Sequence, residues 1–421
     1  MRKYLISAAL AVSLLSLGGC QLTENLKFQQ KAAEMEANPQ TKVSARKYYQ
    51  ERLKSNTYLQ EALKGSKSKR IAKLSALDDS QALYELYTLT KDTKYLEQAT
   101  ESFNYLALKE QVKRATKQGN LDEAAQHNLT LAIKNDLEAM YETGCNYLYG
   151  KNLPQNEAEG LSWLEKVAMV DFERYECLKE ERNSAKNTIY KANQLLVYVY
   201  SGSELGKDLK NTTKFDYFIK LGAKRNIPDL QLILAAVYFH KDKDKYEQEI
   251  TDLLTTVLNN KSYSQLHVEA SYWYAMQLLY KDNKKATQKI ARYANKALKS
   301  GKSEANFPLA MTYMYNGQRT KAKTLLNKIV DQDTTGESSY VLGYIYLKEG
   351  NITKAHSLLN KSADLDFPLA NVLLIKLASS REDAEYYAKQ ACYDNAIPCE
   401  LNMDNNLKLQ QMERMWAPFE I

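Results

Sequence analysis

The segment VLGYIYLKEGNITKAHSLLNKSA at residues 341–363 decides the fold, because a related segment, LAMTYMYNGQRTKAKTLLNKIV, lies thirty-three positions earlier at residues 309–330. In each copy the apolar residues recur at spacings of three and four, which predicts two amphipathic helices. Gly350 and Gly317 separate the two helices, and glycine readily adopts the positive φ that ends a helix. A period of this length is typical of repeat proteins, so each copy is predicted to be a helical hairpin.

Weaker copies of the same pattern occupy other parts of the chain. The clearest has Gly144, Tyr147 and Gly150 in its first predicted helix and Gly160 and Trp163 in its second. Four further hairpins are predicted from segments that begin at Leu196, Leu234, Tyr274 and Leu369. Because one hairpin cannot bury its apolar faces alone, these seven hairpins are expected to stack on their neighbours.

The repeated pattern resembles the Sel-one-like repeat, a relative of the tetratricopeptide repeat, in which a Leu-Gly-x-x-Tyr-x-x-Gly helix precedes an Ala-x-x-Trp-x-x-Lys-Ala-Ala helix. The resemblance covers residues 139–400 and is best at residues 139–171. It implies an all-α fold, a right-handed superhelical solenoid of stacked helical hairpins. Residues 45–138 are predicted to be degenerate tetratricopeptide-like repeats, and residues 401–421 a C-terminal capping helix and tail. Less close helix contacts are expected where a larger residue replaces the first glycine of the pattern, at Val197, Ala235, Ala275, Ala310 and Ala370.

The N-terminus has the form of a secretory signal. Arg2 and Lys3 precede an apolar run from Leu5 to Leu17, which is too short to cross a bilayer as a mature helix. The run ends in Leu-Gly-Gly-Cys20, which resembles the bacterial lipobox. This resemblance implies that residues 1–19 are a lipoprotein signal peptide and that Cys20 carries the lipid, including palmitate. The alternative is an ordinary signal peptide that happens to contain a cysteine.

The residues that follow Cys20 bear on the location of the protein. Gln21 resembles the outer-membrane sorting pattern, in contrast to the Asp that favours inner-membrane retention. The expected location is therefore the outer membrane, where the protein is lipid-anchored and faces the periplasm. Residues 20–44 are predicted to be the lipidated N-terminus and a flexible tether, because the stretch after Cys20 is polar and rich in Gln, Glu, Lys and Asn.

The charge of the chain gives no indication of a nucleic-acid partner. The 421 residues have a formal net charge of +7, and removal of residues 1–19 would lower it to +5 because Arg2 and Lys3 are lost. This excess is small for a chain of this length. It favours anionic partners such as an acidic polysaccharide, and we predict no binding of nucleic acid.

Four cysteines remain besides Cys20, and an oxidising periplasm favours disulfides over metal binding. In the cysteine-rich branch of the Sel-one-like family, a disulfide links the end of a second helix to the start of the next helix. The sequence YYAKQAC at residues 386–392 resembles the motif of that branch, and the resemblance implies a bond between Cys392 and Cys399. Cys145 and Cys177 are candidates for a second bond.

The sequence predicts no catalytic residue, no cofactor and no metal site. The four histidines, at positions 127, 240, 267 and 356, have no second His or Cys at ligand spacing. The motif Ser-x-x-Lys occurs at Ser44–Lys47 and at Ser66–Lys69, but the Ser-Asp-Asn and Lys-Thr-Gly motifs that accompany it in serine acyl-enzymes are missing.

The chain contains 31 tyrosines, and some of them are candidates for a binding groove. Tyr149, Tyr198, Tyr315 and Tyr344 are offset by two residues from the packing position of the repeat, which predicts that they line such a groove. Tyr272 and Trp273 belong to the densest aromatic group and are further candidates, with core packing as the alternative. Tyrosine suits both protein interfaces and sugar stacking.

Two functional hypotheses follow. The first is a non-enzymatic scaffold that binds periplasmic or outer-membrane proteins, such as a porin of a secretion system. The order of lipobox, tether and helical repeats is similar to that of lipoproteins that serve exopolysaccharide export, although the similarity is one of architecture only. The second hypothesis is a peptidoglycan-binding or β-lactam-hydrolysing cell-wall protein, which the cysteine-rich relatives suggest.

Overall fold

The computed structural model describes residues 43–203, 207–282 and 286–393, and these residues are organised as α-helices joined by short turns. The predicted all-α fold is confirmed. Regular pairing of extended chain within the described ranges is limited to a single bridge between Val43 and Glu176. The α-helices are α1 (Ala45–Ser55), α2 (Thr57–Ala62), α3 (Lys67–Ser75), α4 (Ser80–Thr90), α5 (Thr93–Glu101), α6 (Tyr105–Gln118), α7 (Leu121–Ile133), α8 (Leu137–Tyr149), α9 (Glu157–Ala168), α10 (Arg182–Tyr200), α11 (Thr212–Lys224), α12 (Pro228–Asp242), α13 (Glu247–Asn259), α14 (His267–Asp282), α15 (Thr287–Lys299), α16 (Asn306–Tyr315), α17 (Arg319–Leu326), α18 (Glu337–Lys348), α19 (Ile352–Asp364), α20 (Pro368–Leu377) and α21 (Arg381–Tyr393).

The chain forms two compact units that meet in sequence between Leu230 and Gln231. In the first unit, α6 packs on α7, α8 on α9 and α10 on α11, so each pair is a helical hairpin. Successive hairpins also touch, because α7 packs on α8 and α9 on α10. Packed helical hairpins therefore follow one another from Tyr105 to Lys224.

The second unit repeats this arrangement. Helix α14 packs on α15, α16 on α17, α18 on α19 and α20 on α21, and the second helix of each of the first three hairpins packs on the next hairpin. The hairpins predicted from residues 309–330 and 341–363 are thus confirmed. The first helices also contact one another across hairpins, as α14 does with α16 and α18 with α20.

Glycine separates the two helices of a hairpin where the sequence predicted it. Gly150, Gly317 and Gly350 have φ values of 62°, 70° and 76°. These lie in the left-handed region, where a side chain would cost free energy, so the positions require glycine or a residue that tolerates strain. The end of the first helix is confirmed at all three positions.

In two of the second helices, one of two adjacent leucines is fully buried. In α17 and α19 these are Leu326 and Leu359, which have 0% exposure. Leu325 and Leu358 are only partly buried. The leucines are adjacent, and the crossing of the two helices decides which of them faces the core.

The segment between α9 and α10 binds the start of the described chain. Residues 171–181 are largely irregular, and α10 itself is 19 residues long. The backbone N–H of Ser44 donates to the Glu176 carbonyl at 2.7 Å, and the Ser44 hydroxyl donates to Glu181 at 2.9 Å. The last two residues of the predicted tether, Val43 and Ser44, therefore belong to the folded unit. The rest of the tether, Cys20 and the predicted cap at residues 401–421 lie outside the described residues.

Candidate binding face

The predicted groove residues are divided between the two compact units. Tyr149 and Tyr198 lie in the first unit. Burial, together with smaller effects of the nearby Cys145 and Tyr198, raises the pKa of Tyr149 to about 12. Tyr198 is only 9% exposed. Tyr344 belongs to the second unit, but it packs against the core cluster around Leu359. Tyr344 is only partly buried there, so its groove role stays a prediction.

Tyr272, Trp273 and Tyr315 do belong to one cluster, which also contains residues that the sequence did not single out. We call the surface formed by Glu269, Tyr272, Tyr280, Tyr315 and Glu337 the aromatic–acidic face. Three of the five residues are on α14 at positions i, i+3 and i+11, which the helical period places on one side. Tyr315 ends α16 and Glu337 begins α18, so the face is made by first helices of three successive hairpins.

Glu337 and Tyr280 form the centre of the face. The Tyr280 hydroxyl donates to Glu337 Oε1, and the Thr335 hydroxyl donates to Glu337 Oε2 at 3.3 Å. Burial raises the pKa of Glu337, and the neighbouring Asp333 raises it further. Burial likewise raises the pKa of Tyr280 well above its usual value, and the phenol stays protonated. Burial also raises the pKa of Tyr315 to about 12.

Lys302 holds one edge of the face. Its ammonium lies 3.1 Å from Glu269 Oε1 and 3.0 Å from Glu304 Oε1, and 5.2 Å from the centre of the Tyr272 ring. Burial disfavours the charged form of Lys302, but the two carboxylates outweigh it and raise its pKa. The lysine is therefore a fixed positive charge that neutralises part of this edge.

Trp273 lies beneath the face rather than on it, because it is 5% exposed. Its ring contacts Phe239, His240 and Tyr272 with centroid distances between 5.1 and 5.5 Å and edge-on geometry. Such edge-to-face pairs add stability beyond the area they bury. Burial lowers the pKa of His240, so this imidazole is neutral. The core alternative for Trp273 is the correct one, and the groove prediction for it is wrong.

Four buried side-chain atoms of α14 have no hydrogen-bond partner among the described residues. They are Glu269 Oε2, Ser271 Oγ, Trp273 Nε1 and Gln277 Oε1. Gln277 is 2% exposed, so bulk solvent does not supply a hydrogen bond to its side-chain carbonyl. An unpaired buried acceptor of this kind costs free energy of folding.

The Ser-x-x-Lys motif at Ser44 and Lys47 is used for structure. The Ser44 hydroxyl caps α1 by accepting from the Lys47 backbone N–H at 3.0 Å. The Lys47 ammonium pairs with Glu176 at 2.6 Å, and this hydrogen bond raises its pKa. A lysine held in its charged form cannot accept the proton of a serine nucleophile. In the second copy, the Ser66 hydroxyl contacts Ser68 at 3.2 Å.

The structure describes both cysteines of one predicted disulfide and one cysteine of the other. Cys145 and Cys177 are free thiols, so the second predicted bond is not formed. Cys145 neighbours Tyr141 on α8, whereas Cys177 lies in the irregular segment near Glu181. Cys392 is disulfide-bonded, but Cys399 lies outside the described residues, so the pairing of these two stays a prediction.

Residues 43–203, 207–282 and 286–393 contain neither a metal-binding cluster nor a membrane-spanning helix. No group of three or more His, Cys, Asp or Glu side chains is placed to hold a metal ion there. None of the helices within those ranges is both long and apolar enough to cross a membrane.

Comparisons with known proteins give similarity at the level of solved structures. No protein-family model matches the sequence, and no curated protein matches it. The chain is similar to c5321, a protective antigen of uropathogenic Escherichia coli displaying an SLR fold, with 19% identity and a TM-score of 0.39 over 77% of this chain and 67% of that chain. It is also similar to a Sel1 repeat protein from Oxalobacter formigenes, with 13% identity and a TM-score of 0.41 over 79% of this chain and 93% of that chain.

Proposed function

We propose that the protein is a non-enzymatic outer-membrane lipoprotein that acts as a periplasmic scaffold for protein–protein interaction. It would assemble or localise an envelope secretion complex, such as one for exopolysaccharide export, and bind an outer-membrane porin or another periplasmic partner. The lipobox at Cys20 supports the anchor, and Gln21 supports sorting to the outer membrane.

The observation that carries the scaffold role is the aromatic–acidic face. It places Tyr272, Tyr280 and Tyr315 together on the ends and sides of first helices, above the buried Trp273. Tyrosine and tryptophan are the residues most enriched at the energetic centres of protein interfaces. Stacked hairpins hold such residues on a rigid support, which lowers the entropy lost on binding.

The cell-wall alternative receives no support from the serine motifs. Ser44 is a helix cap whose neighbouring lysine is in an ion pair, so the pair is not arranged for acylation. Peptidoglycan binding would need a sugar-binding surface, and it therefore remains an outcome of the test below.

The test is site-specific photocrosslinking in intact envelopes. The full-length protein carries Tyr272→p-benzoylphenylalanine, and a matched protein carries the same change at Tyr386, which is 59% exposed on α21 away from the face. Each is made with and without Cys20→Ala. We expect a protein partner captured only from position 272 and lost with the anchor. Capture of peptidoglycan fragments without any protein would refute the scaffold role.

Membrane fractionation of the same strains tests the anchor separately. We expect metabolic palmitate labelling and outer-membrane recovery of the unmodified protein, and loss of both in the Cys20→Ala form. Outer-membrane recovery without palmitate would contradict the lipobox assignment.

A further inference from the structure

The positive charge of the chain is concentrated in its first described helices. Residues 45–75, which form α1, α2 and α3, contain nine Lys or Arg residues and two Glu residues. Their net charge of +7 equals that of the whole 421-residue chain, so the other residues are neutral in sum. We call residues 45–75 the basic segment. A concentrated charge of this kind attracts an anionic surface more strongly than the same charge spread over the chain.

The two acidic residues of the basic segment are already paired within it. Glu61 Oε2 lies 2.8 Å from the Lys64 ammonium, and Glu61 Oε1 lies 3.7 Å from the Lys73 ammonium. Glu51 Oε1 lies 3.8 Å from the Lys47 ammonium. The segment therefore has no further acid to neutralise its other basic residues.

Some basic side chains of the segment are used by the fold, and others are not. At the start of α1, Arg46 pairs with Glu180 at 3.9 Å and Lys47 pairs with Glu176 at 2.6 Å. Four further basic side chains are exposed, and no carboxylate in the described ranges lies at ion-pair distance from them. They are Arg52, Lys54, Lys67 and Lys69.

The apolar side of the segment is covered by the fold. Leu59, Ala62 and Leu74 share a core cluster with Ala82 and Leu86 of α4. The exposed basic side chains do not belong to this cluster, so they remain accessible to a partner outside the first unit.

Two exposed tyrosines accompany the basic residues. Tyr58 is 79% exposed, more than any other large apolar side chain in the described ranges, and Tyr48 is 53% exposed. Tyr48 and Arg52 are four residues apart on α1, which places them on one side of the helix. Tyrosine is enriched at membrane–water interfaces, where its ring meets the apolar boundary and its hydroxyl stays hydrated. Basic residues together with exposed tyrosines therefore fit a lipid surface better than a soluble anion.

The entry of the chain into the fold places the basic segment close to the predicted lipid anchor. Val43 forms a bridge with Glu176, and the Ser44 hydroxyl donates to Glu181, so the start of α1 is fixed on the first unit. Residues 21–44 join Cys20 to α1. A chain of this length reaches about 80 Å at most, so an anchored protein would keep the basic segment near the bilayer.

We propose that the basic segment binds the surface of an anionic phospholipid bilayer, with its exposed basic side chains at the headgroup phosphates and Tyr48 and Tyr58 at the apolar boundary. This inference goes beyond the scaffold role and takes only the anchor at Cys20 from the proposed function. An acidic polysaccharide would also be attracted by the charge, but it offers the tyrosines no apolar boundary. It is therefore the competing outcome.

The test is sedimentation of the unacylated protein with lipid vesicles. The protein is the full chain from residue 20 with Cys20→Ala, so no acyl chain contributes to binding. One set of vesicles contains equal parts of phosphatidylcholine and phosphatidylglycerol, and the other contains phosphatidylcholine alone. We expect binding to the first set only. The binding should be lost in about 1 M salt, where the screening length falls to about 3 Å.

The variant that tests the segment combines Arg52→Gln, Lys67→Gln and Lys69→Gln. Each basic residue near an anionic surface strengthens binding by about fivefold, so this variant should bind the anionic vesicles about a hundredfold more weakly. Substitutions at exposed positions change stability little, and far-ultraviolet circular dichroism checks that the variant is folded.

The matched control combines Lys117→Gln, Lys299→Gln and Arg319→Gln, which remove the same charge from exposed positions outside the basic segment. Its affinity for the anionic vesicles should stay close to that of the unchanged protein. Equal weakening of the two variants, equal binding to both kinds of vesicle, or binding to neither would overturn the inference. Retention on a polyuronate resin without vesicle binding would assign the segment to an acidic polysaccharide instead.

The two proposals fail separately. The vesicle assay contains neither an acyl chain on the protein nor a protein partner, so its failure leaves the scaffold role standing. Absence of palmitate labelling in the fractionation above would remove the anchor and leave the vesicle result unchanged.

Discussion

The contact between α8 and α9 predicts a measurable loss of stability when Gly160 is replaced by alanine. A Cβ atom at Gly160 would lie 2.6 Å from the Leu148 nitrogen and 2.8 Å from the Gly144 oxygen. Both are backbone atoms of α8, so the overlap is relieved only when one helix moves. Overpacking costs about 1–3 kcal/mol, and a backbone overlap belongs near the upper end. Alanine favours a helix over glycine by about 1 kcal/mol, so the expected net loss is about 2 kcal/mol.

The matched control is Gly343→Ala in the hairpin formed by α18 and α19. There a Cβ atom would lie 3.0 and 3.2 Å from the Leu359 side chain, and 3.4 Å from the Ala355 oxygen. The end of a leucine side chain can rotate away, which lowers the overpacking cost to about 1 kcal/mol. This is close to the gain in helix propensity, so Gly343→Ala should be nearly neutral.

Thermal unfolding followed by circular dichroism at 222 nm measures the difference. In a domain of 150–250 residues, about 1 kcal/mol corresponds to about 2–4 °C, so Gly160→Ala should lower the midpoint by about 4–8 °C. Long repeat arrays can unfold in more than one step, and hydrogen exchange of the α8 and α9 amides shows which step is affected. If Gly160→Ala unfolds at or above the wild-type temperature, or if the two variants behave alike, close approach of the backbones is not what requires glycine at residue 160.

Three further predictions concern buried charge and free thiols. Lys214→Met should lower the free energy of unfolding in urea by about 3 kcal/mol, because it removes the ion pair of Glu165, which is 4% exposed. Among the described residues Glu165 then keeps the Tyr200 hydroxyl at 2.6 Å. Adding Glu165→Gln should recover most of the loss, and no recovery would contradict the buried pair. Glu337→Gln should raise the unfolding midpoint at pH 7 but not at pH 4. Because burial raises the pKa of Glu337 in the folded protein, the stabilising contribution of this group is complete at pH values below its pKa in the unfolded chain. The contribution is lost as the pH rises through the pKa of the folded protein. An equal effect of the substitution on the unfolding midpoint at both pH values would argue against the burial of this carboxylate. Alkylation of the denatured, unreduced protein should label Cys145 and Cys177 but not Cys392. In the native protein Cys145 should react slowly at pH 7, because burial raises its pKa to about 11. Mass spectrometry that finds a disulfide between Cys145 and Cys177 would refute this assignment.

The fold was predictable because its main signals are local. The spacing of apolar residues and the glycine after each first helix depend on a few consecutive residues, and Gly317 and Gly350 have the positive φ that this pattern implies. The choice between Leu358 and Leu359 was not predictable in the same way. Both are apolar and adjacent, and the side that faces the core depends on the angle at which α19 crosses α18.

The candidate site shows the same division between local and long-range information. Helical spacing relates Tyr280 to Tyr272 and Trp273, so a closer reading of α14 could have added it. Glu337 has no such signal, because it lies fifty-seven residues from Tyr280 and is placed by the start of another helix. Asp333 accepts from the Gly336 and Ser339 backbones, and Gly336 has φ of 77° where a Cβ atom would lie 2.6 Å from Phe367 Cβ. The turn that directs Glu337 toward Tyr280 therefore depends on a glycine that packs against the next hairpin, and the acidic character of the face arises only when those hairpins stack.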